Sequence, residues 1–244
     1  MSAIWNRGFT LTWLGHATFE LVTKSGVVVL FDPWLTGNPR CPEARRNVTK
    51  LDVIALSHAH GDHVGDTEAL AKKFNCPVVC GFEVGEHLES KGVTTCQGMG
   101  KGGTKRVREI AFTMVHATHS STFDEPGRPN GGGEAGYVVT LEDGFRIYFA
   151  GDTGPTMEMV AVRELYAPDI AMLPIGDLYT MGPYEAAWAA EKLGAKWIVP
   201  MHYGTFKLAF EDMDEPPRWL KELAEEAGLT SKLRLLEEGV PQVF

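Results

Sequence analysis

The sequence predicts an α/β (α+β) fold in which a strand meander and helix–strand units occur twice along the chain. Apolar residues alternate with a period of two in the first fifty residues, and the alternation returns from about residue 107. Each meander is followed by segments with helical periodicity that lead into short buried strands. No Pro/Ser-rich linker separates the halves. We therefore expect one domain of two similar halves over residues 1–244, with two sheets inside and helices outside.

The first half begins with three strands and continues with alternating strands and helices. Lys24-Ser25-Gly26 marks the turn between the second and third strands, and Gly92 ends a short helix. The predicted strands are 9–14, 18–23, 27–31, 52–56 and 76–80, and the predicted helices run from Asp66 or Thr67 to about Phe74 and over 82–90.

The second half repeats this order. Asp143-Gly144 between two apolar runs indicates a hairpin, and Pro183 and Gly194 are typical of the first turn and the end of a helix. The predicted strands are 110–117, 137–141, 145–149, 170–173 and 197–200, and the predicted helices are 157–166, 184–193 and 219–227. The long irregular stretch 120–136 is either functional or disordered.

Charge and composition narrow the class of protein. The formal net charge of -9 opposes a surface that follows nucleic-acid phosphates, and the basic cluster of Lys101, Lys105, Arg106 and Arg108 is predicted to be a solvated loop. The four cysteines lack a CxxC or disulfide-framework spacing, and no signal peptide or membrane span is indicated. We expect a cytoplasmic protein with a small-molecule substrate, no nucleic-acid partner and no membrane association. Homo-oligomerisation is left open.

The most informative motif is Ser57-His58-Ala59-His60-Gly61-Asp62-His63, which places three imidazoles and a carboxylate in six positions. It directly follows the predicted strand 52–56, so its side chains emerge from a strand end into a loop. The first two histidines can face the same way, and the glycine permits a bend that aims the final Asp-His pair at a neighbouring ion. Imidazole and carboxylate are common metal ligands. The motif therefore predicts a dinuclear metal hydrolase.

Later strand ends supply more residues of the same types. His116 and His119 close one strand, and either imidazole could complete a three-histidine site. Asp152 follows the second hairpin strand, where its carboxylate could bridge two cations. His202 follows the last predicted strand. A single histidine at a strand end is usually structural, but its recurrence beside the HxHxDH run favours a metal site.

These residues, in this order along nearly the whole chain, resemble the metallo-β-lactamase superfamily, whose HxHxDH motif corresponds to residues 58–63. Further segments resemble a group of metal-dependent hydrolases related to the bacterial L-ascorbate-6-phosphate lactonases. Those segments are 13–17 (WLGHA), 32–34 (DPW), 174–177 (PIGD), 179–183 (YTMGP) and 200–206 (PMHYGTF). The resemblance implies a four-layer αββα sandwich, the metallo-β-lactamase fold.

The resemblance also implies the ligands of two divalent metal ions. They are His58, His60 and His119 for the first ion, Asp62, His63 and His202 for the second, and Asp152 as a bridge between them. His119 is preferred to His116 because Ser120-Ser121 follow it, as in similar sequences, so that His116 would lie in the second shell around the ligands. Three imidazoles suit Zn²⁺ at the first position, whereas the second, richer in oxygen, could take Zn²⁺, Mn²⁺ or Fe²⁺.

Two such ions can share a water and lower its pKa toward about 7, which provides a bridging hydroxide. Asp62 would orient this hydroxide, and either Asp62 or a metal-bound water could pass a proton to the leaving group. The implied reaction is hydrolysis of a small ester, lactone or phosphoester. A phosphodiesterase or nuclease of the same fold is the alternative, which the acidic charge disfavours. His60 argues against a di-iron electron-transfer protein, because that branch has a carboxylate at this position.

Other residues are expected around the ligands. Asp32 ends a strand and could accept the second ring N–H of a metal-bound histidine, with a plain turn as the alternative. His16, in a turn between two strands, could line the pocket or be structural. Asp177, Tyr179 and Thr180 follow a strand of the second half and could contact the substrate, with an ordinary loop as the alternative.

Overall fold

The computed structural model describes residues 7–207, 212 and 214–244. Its strands form two sheets, one of seven strands and one of six. The chain divides into two compact units. The first unit contains the chain up to Gly98 together with residues 121–132 and 236–244, and the second contains residues 99–120 and 133–235. The predicted mixed α/β fold with two sheets is confirmed, and the single domain stays a prediction.

The sheet of the first unit has the order β13-β1-β2-β3-β4-β5-β6. Strands β1 to β3 form an antiparallel meander, and β3, β4 and β5 are parallel. The strands are β1 Thr10–Trp13, β2 Phe19–Val22, β3 Val28–Phe31, β4 Val53–Ala55, β5 Val78–Gly81, β6 Cys96–Met99 and β13 Gln242–Val243. The helices are α1 Gly61–Val64, α2 Thr67–Phe74, α3 Phe82–Ser90 and a 3₁₀ turn, Glu43–Arg45.

The sheet of the second unit has the order β12-β11-β10-β9-β8-β7. Strands β7 to β10 are antiparallel, and β10, β11 and β12 are parallel. The strands are β7 Thr104–Val107, β8 Ile110–His116, β9 Ala135–Thr140, β10 Arg146–Phe149, β11 Ile170–Pro174 and β12 Trp197–Met201. The helices are α4 Glu158–Tyr166, α5 Pro183–Leu193, α6 Glu215–Glu226 and a 3₁₀ turn, Thr230–Lys232.

Parallel strands in each sheet bring their carboxyl ends to one edge, where α/β proteins generally bind ligands. In the first unit, β3 ends just before Asp32 and β4 ends just before the HxHxDH segment. In the second unit, β10 precedes Asp152 and β12 precedes His202. Strands β3, β4, β11 and β12 are buried along their full length, so they form rigid supports for the polar residues that follow.

Several elements differ from the sequence-based expectation. The basic cluster is not wholly a loop, because Lys105 and Arg106 lie in β7, the exposed edge strand of the second sheet. Charged side chains on an edge strand prevent pairing with other chains. Helix α6 begins at Glu215, four residues before the predicted start, because Pro216 and Pro217 fit its first turn. None of the helices in the described residues combines the length and apolar character needed to cross a membrane.

The cysteine thiols differ in environment, which leads to a test of the fold. Burial raises the pKa of Cys76 to about 11, and the hydrogen bond to Cys96, together with burial, raises the pKa of Cys80. The same hydrogen bond lowers the pKa of the partly exposed Cys96. Because the thiolate is the reactive form, we expect iodoacetamide at pH 8 to modify Cys96 before the other two in the native protein. Peptide mass spectrometry over time measures this order, and equal rates for Cys76 and Cys96 would contradict it.

Candidate metal centre

In the first unit, His58 and His60 leave the end of β4 with their rings close together. His58 Nε2 lies 3.0 Å from His60 Nδ1, and the ring centroids are 4.6 Å apart in an edge-to-face arrangement. A tetrahedral zinc ion with Zn–N bonds of about 2.05 Å would separate two ligand nitrogens by about 3.3 Å. The two nitrogens therefore lie near the spacing that a shared metal ion requires.

Asp32 organises His58 and His63, two of the buried histidines of this unit. Its Oδ2 lies 2.7 Å from His63 Nδ1 and accepts the Ser57 hydroxyl at 2.6 Å, while its Oδ1 accepts the Ser57 N–H at 2.7 Å. The Ser57 hydroxyl donates its hydrogen bond to the carboxylate. Ser57 Oγ therefore accepts a hydrogen bond from His58 Nδ1, which is 2.9 Å away. Both histidines then carry their proton on Nδ1, and this leaves Nε2 with a lone pair for a metal ion.

Asp62 lies between His16 and His63. Its Oδ2 is 3.0 Å from His16 Nε2 and 3.9 Å from His63 Nε2. His16 is buried against the edge of the Trp34 ring, and its carbonyl accepts the Trp13 indole N–H. The Asp62 side chain is 27% exposed, so its carboxylate is held by a buried imidazole and also reaches solvent.

In the second unit, Asp152 brings two histidines together. Its Oδ2 lies 3.0 Å from His202 Nε2 and 3.6 Å from His119 Nε2. The His119 backbone N–H donates to Glu134 Oε1 at 3.0 Å. His116 instead contacts Lys101 and the Thr118 hydroxyl. Of the two histidines that the sequence left open, the structure thus places His119 beside Asp152.

The substrate residues expected from the sequence lie in the loop after β11. The Asp177 side chain accepts the N–H of the next residue, Leu178, at 2.6 Å. Tyr179 is exposed, and the Thr180 hydroxyl donates to the Met181 carbonyl at 3.3 Å. These residues shape their own loop, and contact with a substrate stays a prediction.

Backbone strain is found at many of these positions. His16, Asp32, Asp177 and His202 all have φ between 41° and 62°, a left-handed conformation that residues with a Cβ adopt rarely. Such strain persists where surrounding contacts enforce it, and it clusters at functional sites. The strain supports a functional interpretation of these positions.

The donor set fits divalent transition metal ions. In the first unit two imidazole nitrogens lie 3.0 Å apart, and in the second unit a carboxylate oxygen lies 3.0 Å and 3.6 Å from two imidazole nitrogens. These are the ligand types that zinc, manganese and iron accept. Sequence reasoning missed Ser57, Glu134 and Thr153, whose Oγ1 accepts the Thr118 N–H. Ser57 and Thr153 adjoin predicted ligands in the sequence, which was the available signal.

Comparison with known proteins identifies the family of the chain. The sequence-family model described as the beta-lactamase superfamily domain matches residues 28–203. A UPF0173 metal-dependent hydrolase of Koribacter versatilis is 50% identical over 201 residues, 82% of this chain and 86% of the relative. Another, of Solibacter usitatus, is 44% identical over 95% of this chain and 98% of the relative.

Solved structures agree with the fold. Igni18, described as a novel metallo hydrolase of the archaeon Ignicoccus hospitalis, is 33% identical with a TM-score of 0.85, over 97% of this chain and 98% of that one. The metallo-beta-lactamase fold protein YhfI of Bacillus subtilis, 14% identical, has a TM-score of 0.68 over 96% of this chain and 98% of that one. The chain therefore belongs to the beta-lactamase superfamily, among the UPF0173 metal-dependent hydrolases.

Proposed function

We propose that the protein is a dinuclear metal-dependent hydrolase of a small ester, lactone or phosphoester. The proposed ligands are His58, His60 and His119 for one ion, Asp62, His63 and His202 for the other, and Asp152 for both. The observation that carries the proposal is the pair of buried and half-buried imidazole and carboxylate clusters, one in each unit, with nitrogen and oxygen atoms at ligand spacing. Relatives named as metal-dependent hydrolases support it.

The reaction adds one water across the scissile bond and gives an acid and an alcohol. Bound divalent ions would lower the pKa of a water and polarise the substrate oxygen. Asp62 is the residue that we propose for proton transfer, because its Oδ2 is held at 3.0 Å by His16 while its side chain reaches solvent. It would take the proton released by the attacking water and deliver it to the leaving oxygen.

His58 and His63 would contribute through the orientation of their rings. The lone pairs on Nε2 of His58 and His63 follow from the hydrogen bonds to Ser57 and Asp32. We propose zinc ions at both positions, with manganese or iron as alternatives at the second position, which has more oxygen ligands. The cytoplasmic location, the small-molecule substrate and the kinship with L-ascorbate-6-phosphate lactonases belong to the same proposal.

Elemental analysis followed by a hydrolysis screen tests the function. We expect about two equivalents of divalent metal per chain and activity toward a lactone, ester, thioester or phosphodiester that chelator removes and added metal restores. His119→Ala is expected to lose metal, whereas His116→Ala, whose side chain contacts Lys101 and Thr118, retains it. A protein that binds no divalent ion under any loading condition would contradict the proposal.

A further inference from the structure

The loop after β11, residues 175–182, lies directly against predicted ligands of its own unit. An alanine Cβ at Gly176 would lie 2.1 Å from the carbonyl oxygen and 3.0 Å from Nδ1 of His202, so the loop backbone touches this histidine and excludes any side chain. Toward the other end, the Met181 N–H donates to the carbonyl of Thr153 at 3.0 Å. Thr153 directly follows Asp152. The loop is therefore positioned by the same segments that carry the predicted ligands.

The tip of this loop is strained and apolar. Asp177 and Leu178 have φ of 62° and 57°, and two consecutive residues with a Cβ rarely adopt this conformation. The Asp177 N–H donates to the Met181 carbonyl at 3.1 Å, which closes the turn. The result is that Leu178 and Tyr179 are 60% and 63% exposed. Core packing does not explain a strained turn that presents two adjacent large apolar side chains to solvent.

The charges near the tip restrict what it can bind. Residues 175–186 contain Asp177 and Glu185 and neither lysine nor arginine. Tyr184, at the start of α5, adds a further exposed aromatic side chain. Acidic groups repel a phosphate or carboxylate, whereas leucine and tyrosine side chains gain free energy by covering an uncharged apolar group.

We infer that Leu178 and Tyr179 bind the apolar, uncharged acyl or aryl part of an ester or lactone substrate. The inference rests on the proposed hydrolase function and narrows its substrate class, because it favours neutral apolar esters over phosphorylated compounds. The strain at the tip holds the two side chains outward, so that the subsite exists before the substrate arrives.

The test compares the wild-type protein with the double variant Leu178→Ser/Tyr179→Ser. Leu165→Ser, which replaces an exposed leucine on α4 of the same unit, is the matched control. Hydrolysis of p-nitrophenyl acetate, butyrate and octanoate gives kcat and KM, and calorimetry gives the affinities for the uncharged amides acetamide and octanamide. We expect the wild-type KM to fall by up to about fourfold for each added methylene that is buried. In the double variant we expect the KM for p-nitrophenyl octanoate to rise about tenfold, while kcat stays nearly unchanged.

The outcomes separate this inference from the proposed function. Tighter binding of octanamide than of acetamide that is lost only in the double variant supports the inference. This holds even if no ester is cleaved, a result that would count against the hydrolase alone. Equal chain-length dependence in both proteins overturns the inference and leaves hydrolysis standing. A change of oligomeric state in the double variant, seen by size-exclusion chromatography, also overturns it, because a second copy would then cover the tip.

Discussion

Replacing Asp152 by alanine is expected to lower kcat/KM for the best substrate by about 10²- to 10⁴-fold and to reduce bound metal with it. The Asp152 carboxylate is buried, with Oδ2 at 3.0 Å from His202 and 3.6 Å from His119. Alanine removes the negative charge that both imidazoles face. A site that has lost its shared carboxylate binds divalent cations more weakly, because the remaining neutral imidazoles offset less of their charge.

Elemental analysis and steady-state kinetics on the same preparation measure both effects. His60→Ala, which removes the nitrogen 3.0 Å from His58 Nε2, is expected to behave in the same way. Glu191→Ala, an exposed carboxylate on α5, is the matched control and keeps both metal and activity. Stoichiometric metal in both Asp152→Ala and His60→Ala would contradict the ligand assignment.

Replacing Asp32 by alanine is expected to weaken metal binding about 10- to 100-fold without removing any predicted ligand. The fully buried carboxylate accepts from the Ser57 N–H, the Ser57 hydroxyl and His63. Without this carboxylate, the ring of His63 can rotate or change tautomer, and so can the ring of His58, which is linked to Asp32 through Ser57. It also leaves buried donors unsatisfied, at a cost of about 1–3 kcal/mol each in the free energy of unfolding.

Two further variants separate the contributions of Asp32. Asp32→Asn keeps the side-chain volume and tolerates the positive φ of 41°, but it turns an N–H₂ donor toward groups that themselves donate. Ser57→Ala removes the hydroxyl that joins Asp32 to His58 but leaves the contact between Asp32 and His63 in place, so its effect on metal affinity should be the smaller. Competition with a chromophoric chelator measures affinity, and urea unfolding of chelator-treated protein measures stability. Wild-type affinity in Asp32→Ala would show that this carboxylate does not position ligands.

Local sequence patterns were sufficient for much of the fold. The helix predicted over 82–90 is confirmed as α3, and the helix from Asp66 or Thr67 to Phe74 is confirmed as α2. The strand before the HxHxDH motif is confirmed as β4. These features depend on the periodicity of neighbouring residues and on glycine and proline at element ends, which are readable without tertiary contacts.

Other local expectations were modified by distant contacts. Asp66 precedes α2 as expected for a cap, but its carboxylate accepts the N–H groups of Leu35 and Thr36 rather than capping the helix. Strands β6 and β7 were not predicted, because their sequences lack a clear alternation of apolar residues. Pairing of β7 with β8 supplies the hydrogen bonds that make Lys105 and Arg106 part of a strand.

The sequence by itself determined which residue types follow the strands, and this was enough to predict metal ligands among residues 58–63, Asp152 and His202. Only the tertiary structure decided that His119 rather than His116 lies beside Asp152, that Ser57 joins Asp32 to His58, and that Leu178 is exposed on a strained turn. The physical reason is distance along the chain. Residue identity and apolar periodicity can be read from residues that are close in the sequence. A hydrogen bond between residues 32 and 57, or a backbone packed against His202, exists only once the strands have paired.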